Sequence, residues 1–441
     1  MTVTKKINPM KKILIFPCAT EVGIEYWNSL KTKKDVKIFG ATSCAKDHSE
    51  FLYKTVLSLP PITDDNFVPR LNAVVEAFRI DLVIPTHVLV IDYFLKHSSD
   101  IKCKQLTQTP ETTLNTRSKL KTYLMLNTRP YCPSIFQNVD DYRQDQLYFV
   151  KRDNGTGGIG SKKISTKREF VESVKNQEMV VCEYLPGDEI TVDCFSDENF
   201  NLRYCFPRYR TKIRMGTSFR AEEIVCAKEK VILEEYVAEI SKIFSLRGAW
   251  FAQFKKTHAG SWKLLEVDPR LSGSASINRV NGVNLAYLNV VSFMVSADAE
   301  IFPQKITTTL DRRTYAKFRC ELLYDAVYID LDNTIIVRGE LQIEIIKFLF
   351  QCINNGYHVA LLTKSLSSDL ESFLKTKRIY QIFDEIIHIS EDDVKSNYID
   401  MSRNPIFIDD SFSQRKAVAE KLGIPIFDPD AVEALLQDRY V

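Results

Sequence analysis

The chain has 441 residues, of which 45% are apolar and 26% charged, with a formal net charge of +2. That length exceeds one ordinary core and points to about three domains. The near-neutral charge gives no reason to expect nucleic acid or a membrane surface as a partner, and no apolar run approaches the ~20 residues of a membrane span.

The basic start MTVTKKINPMKK is followed only by ILIF, too short for a signal-peptide core, so a first strand is expected there. Ten cysteines (18, 44, 103, 132, 182, 194, 205, 226, 320 and 352) form no C-x-x-C pair. They read as buried thiols of a reducing, cytoplasmic compartment, and no structural zinc site is expected. Over residues 1–110, KKILIF, VKIFG, TVLSL and DLVIPT read as strands, with helices near 21–31, 65–79 and 88–97. This order gives an open, doubly wound, Rossmann-like parallel sheet. The first strand runs into PCATEVG, without a G-x-G-x-x-G fingerprint, so NAD is not expected.

Residues 111–310 follow with a helix from about Thr116 to Leu126, the strand LYFVKRD, a Gly loop, SKKIST, a helix near 167–176, MVVCEYL and EITVDCFSD. Then come RYCFPRYR, a helix at 228–245, the strand pair GAWFAQFKK and SWKLLEVD joined by a THAG turn, and a helix after Asn284. The stretch 303–324 reads as a linker, with 311–324 assigned as the linker proper, and residues 325–441 restart the βα rhythm in AVYIDLD, HVALLTKS, EIIHIS, NPIFIDD and IPIFD.

In GTGGIG, Gly155, Gly157, Gly158 and Gly160 carry no side chains, which lets backbone N–H groups wrap phosphate oxygens, and Lys151 precedes them at a strand end. The same run also makes plain hairpins. In LLEVDPR, Glu266, Asp268 and Arg270 alternate and share a strand face, and Gln253 of the neighbouring strand joins them. Two carboxylates and an amide oxygen are hard ligands that suit Mg²⁺ with nucleotide phosphates; a solvated edge with a surface ion pair is the alternative.

On these residues the chain over about 10–300 resembles the ATP-grasp superfamily with its preceding α/β domain, in its carbamoyl-phosphate-synthase-like branch. The resemblance matches Lys119 in TRSKLKTY and Lys151 to the two nucleotide lysines, and Gly157 and Gly158 to the lid loop, with a lid over about 130–205. It matches Glu183, Tyr184, Leu185 and Glu189 in CEYLPGDEITVD to the adenine and ribose site, and Gln253, Glu266, Asp268 and Arg270 to the metal motif. Asp268 stands where the family usually has Asn. One ATP-grasp unit without a glutaminase region argues against carbamoyl-phosphate synthesis. The implied cofactors are ATP and Mg²⁺, and the implied reaction is activation of a carboxylate as an acyl phosphate followed by displacement by an amine. Arg208, Arg210 and Arg214 stand where an acceptor carboxylate or phosphate is often bound, or form a solvated basic strand. A homodimer is a further implication.

In the C-terminal region, YIDLDNT places Asp330 and Asp332 at a strand end, another strand ends in Thr363, and a third in Asp409 and Asp410. Strand carboxyl ends are where open α/β sheets put their sites. Residues 325–441 are similar to the haloacid-dehalogenase-like (HAD) phosphatases. The resemblance implies Asp330 as nucleophile, Asp332 as general acid and base, Thr363 as phosphoryl ligand, and Mg²⁺ held by Asp330, Asp409, the carbonyl of Asp332 and the candidate ligand Asp410. Lys395 and Lys364 compete for the lysine position. The spacings leave no room for a cap domain. The expectation is a bifunctional enzyme, an ATP-dependent carboxylate–amine ligase coupled to hydrolysis of a phosphorylated small molecule. The alternatives are a ligase with a phosphate-sensing C-terminal domain that does not turn over, and a nucleotide-binding regulatory protein.

Overall fold

The computed structural model describes residues 10–44, 46–155, 158–214, 216–295, 301–304, 306–313, 318, 320–365 and 369–437. The chain divides into two compact units, residues 1–314 and 315–439.

The first unit opens with a five-stranded parallel sheet of β1 (Lys11–Phe16), β2 (Val36–Thr42), β3 (Val56–Ser58), β4 (Leu82–Pro85) and β5 (Lys104–Gln105), in the order β3-β2-β1-β4-β5. Ile13 to Phe16 of β1 and Leu82 to Ile84 of β4 are buried, as expected for central parallel strands covered on both faces. The covering helices are α1 (Glu21–Leu30), α2 (Phe67–Phe78) and α3 (Val88–Lys96). Thr20 caps α1 by accepting from the Gly23 N–H at 3.0 Å. The sheet order reverses between β1 and β4, and the two loops leaving their carboxyl ends are tied together: Thr20 Oγ1 donates to Thr86 Oγ1 at 2.8 Å, and Thr86 donates to the Pro17 carbonyl at 2.6 Å.

The single helix expected at 116–126 is two, α4 (Pro110–Arg117) and α5 (Lys119–Met125). Ser118 leaves the helical region with ψ 115° and accepts from the Lys121 N–H at 3.1 Å. A serine that caps the next helix ends the previous one. Next, β6 (Ile135–Phe136), β7 (Tyr148–Arg152), β8 (Lys162–Ile164) and β9 (Met179–Glu183) make a four-stranded sheet in the order β6-β9-β7-β8, packed by α6 (Lys167–Lys175). Within the stretch 130–205, β10 (Glu189–Ser196) belongs to another sheet.

That second sheet has the order β14-β13-β10-β11-β12-β15, with β11 (Leu202–Arg214), β12 (Thr217–Glu223), β13 (Gly248–Lys256), β14 (Trp262–Asp268) and β15 (Thr309–Asp311). It packs on α7 (Ala227–Ile243), and is followed by α8 (Ser276–Val280) and α9 (Leu285–Val295). The stretch read as a linker from 303 begins with ordered pairing: Ala221 of β12 faces Leu310 of β15. A three-residue strand among threonines has too little alternation to be seen in the sequence.

The second unit carries β16 (Ala326–Ile329), a small hairpin of β17 (Ile336–Val337) and β18 (Glu340–Leu341), α10 (Ile343–Asn354), β19 (His358–Thr363), α11 (Leu370–Thr376), β20 (Glu385–His388), β21 (Pro405–Ile408), α12 (Phe412–Leu422) and β22 (Ile426–Phe427). Its sheet is parallel in the order β20-β19-β16-β21-β22. The chain builds outward from β16 through β19 to β20 and then returns to add β21 and β22. The switch point therefore lies between β16 and β21, and open α/β sheets put their sites at the carboxyl ends of such strands.

Candidate functional site

In the first unit the site grows from an irregularity in the β13–β14 pair. Gln253 faces Glu266, but the next partner of Phe254 is Leu264, so Leu265 is an extra residue in the ladder. The Leu265 carbonyl accepts from Tyr123 Oη at 2.6 Å and from Lys151 Nζ at 3.0 Å. Lys151 also donates to Tyr123 Oη at 2.5 Å. A bulge thus frees one carbonyl to hold a lysine that is 6% exposed. Beyond the bulge, Glu266 and Asp268 keep the common face expected for them, and Phe251 pairs with Asp268.

Lys119 Nζ donates to the carbonyls of Gly155 (2.8 Å) and Asp153 (3.3 Å) and lies 3.9 Å from Glu266 Oε2. Burial pushes its ammonium below the ordinary lysine range, and Glu266 opposes that. Asp153 fixes this corner by accepting from Ser118 Oγ and from the Leu120 N–H. Arg270 Nη2 pairs with Asp268 Oδ2 at 2.7 Å. Burial raises the Asp268 pKa, and Arg270 partly restores it. Arg210 joins Glu189, the Gly216 carbonyl and Gln253 Oε1, the last at 2.9 Å.

Three adjoining cavities result. A mainly apolar one is bounded by Tyr123, Phe149, Cys182, Glu183, Tyr184 and Leu185. A second lies among Lys119, Lys151, Gly158, Glu189, Gln253 and Glu266. A third, of about 200 Å³, is lined by Lys119, Arg208, Arg210, Gln253, Glu266, Asp268 and Arg270. Lys119, Arg210, Gln253 and Glu266 line both the second and the third. The oxygen donors Gln253, Glu266 and Asp268 fit a hard divalent cation such as Mg²⁺. Glu183 accepts from the Ser134 N–H at 2.8 Å, and Lys163 lies 4.6 Å from the Tyr184 ring.

Arg208, 1% exposed, pairs with buried Asp193 at 2.8 Å and donates to Ser272 Oγ at 3.2 Å, while its Nη1 is buried without a hydrogen-bond partner. Arg214 is not brought to these cavities; it is exposed, its guanidinium 5.2 Å from the Phe219 ring. The β11–β12 register shift after Arg210 breaks the alternation that would have aligned Arg214 with the other two. Gly157 lies outside the described residues. Tyr123, Asp153 and Asp193 were missed in the sequence. Their contacts depend on a bulge, a cap and a cross-strand pair, none of which has a local sequence signal.

In the second unit, Asp330 leaves β16 and Asp409 leaves β21, on either side of the switch point. Lys395, 3% exposed, donates to Asp330 Oδ1 and to Asp409 Oδ2, both at 2.6 Å. Oxygens of Asp330, Asp409 and Asp410 lie within 4.8 Å of one another, a carboxylate set that fits Mg²⁺. Burial pushes Asp330 from 3.8 to about 6, opposed by Lys395 and reinforced by Asp409. Lys364 instead donates to the Glu391 carbonyl at 2.7 Å, so Lys395 is the lysine that reaches Asp330. Thr363 is buried and its Oγ1 accepts from the Ser365 N–H at 3.1 Å. Asp332 is exposed, and its carboxylate is outside the three-carboxylate group. Buried Thr334 accepts from the Asp410 N–H at 3.0 Å. Among the described residues no helix is long and apolar enough to cross a membrane.

No curated protein matches the chain by sequence. Solved structures similar to it include an L-amino acid ligase from Bacillus licheniformis (18% identity, TM-score 0.52, covering 66% of this chain and 75% of that one). Another is N5-carboxyaminoimidazole synthetase from Staphylococcus aureus (12% identity, TM-score 0.52, covering 67% and 81%). A third is the biotin carboxylase domain of Hydrogenobacter thermophilus 2-oxoglutarate carboxylase, solved with ADP and its magnesium salt (12% identity, TM-score 0.54, covering 67% and 71%). At such identities the shared property is the fold. Residues 175–312 match the family model described as ATP-grasp in the biosynthetic pathway with Ter operon. The chain thus has an ATP-grasp fold and carries an ATP-grasp family signature over residues 175–312.

Proposed function

We propose that the first unit is an ATP-dependent carboxylate–amine ligase working with Mg²⁺. The observation that carries this reading is the convergence of Lys119, Gln253, Glu266, Asp268 and Arg270 on one cavity beside the Lys151–Tyr123–Leu265 anchor. The apolar cavity at Glu183 to Leu185 takes the nucleobase, with Glu189 at the ribose. Lys119 and Lys151 hold phosphate oxygens, and Gln253, Glu266 and Asp268 would hold Mg²⁺, which when bound offsets charge on the transferring phosphoryl group. Arg270 sits beside that group, and Arg208 and Arg210 orient the acid. The chain's contribution is positioning and fixed charge. The acid's oxygen attacks the γ-phosphorus and ADP leaves; an amine then attacks the acyl carbon and phosphate leaves. Screening paired acids and amines for ADP release, with mass spectrometry of the product, tests it. ADP release that depends on an acid supports the reading, and ADP release unaffected by any acid refutes it.

For the second unit we propose a HAD-like, capless phosphatase. In this reading Asp330 is the nucleophile, Lys395 steadies it, and Asp330, Asp409 and Asp410 would hold Mg²⁺. Thr363 is assigned to the phosphoryl oxygens and exposed Asp332 to general acid–base duty. The observation favouring this is the Lys395 bridge between carboxylates from two strand ends flanking a switch point. Hydrolysis of a small phosphomonoester that is lost in Asp330→Asn supports it. Equal hydrolysis by the variant refutes it and favours a binding module.

A further inference from the structure

Cys194 of β10 and Cys205 of β11 stand directly opposite each other in the antiparallel ladder, and both are free thiols. Opposed residues share a face of the sheet. The face here is the one under α7: Cys194 is buried in one core cluster with Leu233, Val237 and Ile240, and Cys205 packs against that cluster. By strand alternation the neighbouring pair, Asp193 and Phe206, takes the other face. A neighbouring hydrogen bond fixes the kind of pair the cysteines form. The Ile224 N–H donates to the Pro207 carbonyl at 3.2 Å, so Pro207 turns its carbonyl toward the β12 side and away from β10. Backbone direction alternates along a strand, so Cys205, two residues earlier, also turns away from β10. Cys194 and Cys205 are thus a non-hydrogen-bonded pair, the kind in which Cα atoms come to about 4.5 Å. A disulfide is compatible with Cα separations of about 4.4–6.8 Å. Cys194 is 0% exposed, whereas Cys205 is only partly buried, so a reagent enters at Cys205. The Cys194 thiol donates to the Val192 carbonyl at 3.5 Å, its resting contact in the reduced protein.

We propose that Cys194 and Cys205 are a redox modification site, closed to a cross-strand disulfide by hydrogen peroxide and reopened by a thiol reductant. The Cys205 sulfur attacks one peroxide oxygen, the O–O bond breaks, and one water leaves as the sulfur becomes a sulfenic acid. The Cys194 sulfur then attacks that sulfur, the S–O bond breaks, and a second water leaves with the thiol proton. Two thiols and one peroxide give one disulfide and two waters; the sulfurs together lose the two electrons that the peroxide gains. Burial pushes the Cys205 thiol up to about 12, Glu234 adding to the rise and Lys230 opposing it. Little thiolate is then present at neutral pH, so the site answers sustained oxidant rather than a brief pulse. Once closed, the link joins the two strands that carry Asp193 and Arg208.

The test uses the full, unmutated chain. Folded protein is exposed to hydrogen peroxide, remaining thiols are blocked with N-ethylmaleimide, and the protein is digested without reductant for mass spectrometry. A peptide linked through Cys194 and Cys205, lighter by two hydrogens than its separate parts, is expected as the dominant cross-link. It should vanish on treatment with dithiothreitol and be absent from Cys205→Ser. A parallel sample in urea, with every cysteine accessible, shows that the reagent is competent. Disulfides in the urea sample without a Cys194–Cys205 link in the folded one overturn the proposal, as does Cys205 carried to sulfinic acid unlinked. The linked protein should also have a higher urea midpoint than the reduced one, because the cross-link constrains the unfolded chain while fitting the native register. A midpoint that falls on linking overturns the claim that the native strands accommodate the bond.

Discussion

Arg208 and Asp193 form an ion pair 2.8 Å long, with side chains only 1% and 2% exposed. Asn278 adds a hydrogen bond to Asp193 at 3.0 Å. Removing one member of such a pair leaves an uncompensated buried charge and costs about 3–5 kcal/mol, whereas replacing both with apolar residues of similar volume is close to neutral. Arg208→Met should therefore lower the unfolding midpoint of the first unit sharply, and Arg208→Met/Asp193→Leu should recover most of the loss. If Arg208 also binds substrate, the double variant stays inactive although it is folded. Urea unfolding followed by tryptophan fluorescence reads the first effect, since all three Trp (27, 250 and 262) lie in the first unit. Acid-dependent ADP release reads the second. A single variant as stable as the parent refutes the buried pair. A double variant that recovers both stability and turnover shows Arg208 to be scaffold, removing it from the substrate site.

The remaining predictions concern other parts of the chain. At Gly23 an added Cβ would come within 2.4 Å of the Cys18 carbonyl, so Gly23→Ala must displace α1 from the β1 loop and should destabilise the first unit by about 1–3 kcal/mol in the same urea assay; an unchanged midpoint contradicts the packing. Asp330→Asn should abolish phosphomonoester hydrolysis without touching acid-dependent ADP release, checked on one preparation with both assays. Asp330 rises from 3.8 to about 6 on folding, so the folded state holds the proton more tightly, and stability contributed by the protonated group is lost as pH rises from about 4 to about 6. In EDTA, the second unit should lose up to about 3 kcal/mol relative to Asp330→Asn across that window; parallel pH profiles for the two proteins refute it.

The sequence carried the parallel-strand runs plainly, because ILIF of β1, LVIP, AVYI and PIFI are buried on both faces and read as unbroken apolar stretches. Strand alternation also put Glu266 and Asp268 on one face, with Gln253 of the neighbouring strand beside them, while the register that pairs Gln253 with Glu266 came from the structure. Backbone irregularities were illegible. Nothing in LLEVD marks Leu265 as the bulged residue whose carbonyl holds Lys151. Nothing in TRSKLK marks Ser118 as a break, because a serine inside an apolar helical pattern is tolerated as often as it caps. Arg214 failed for the same reason, its alternation with Arg208 and Arg210 being lost at a register shift. The choice between Lys364 and Lys395 needed the structure, since a lysine brought by a 3₁₀ turn to two strand ends has no period to reveal it.

The central claim is that the first unit joins phosphate to a carboxylate. With an acid labelled by ¹⁸O in its carboxyl group, acyl-phosphate formation moves one labelled oxygen into the phosphate released when the amine attacks. The account predicts one ¹⁸O per phosphate by mass spectrometry, and loss of that signal in Glu266→Gln. Phosphate released without label, at an ADP yield matching the product, would contradict it.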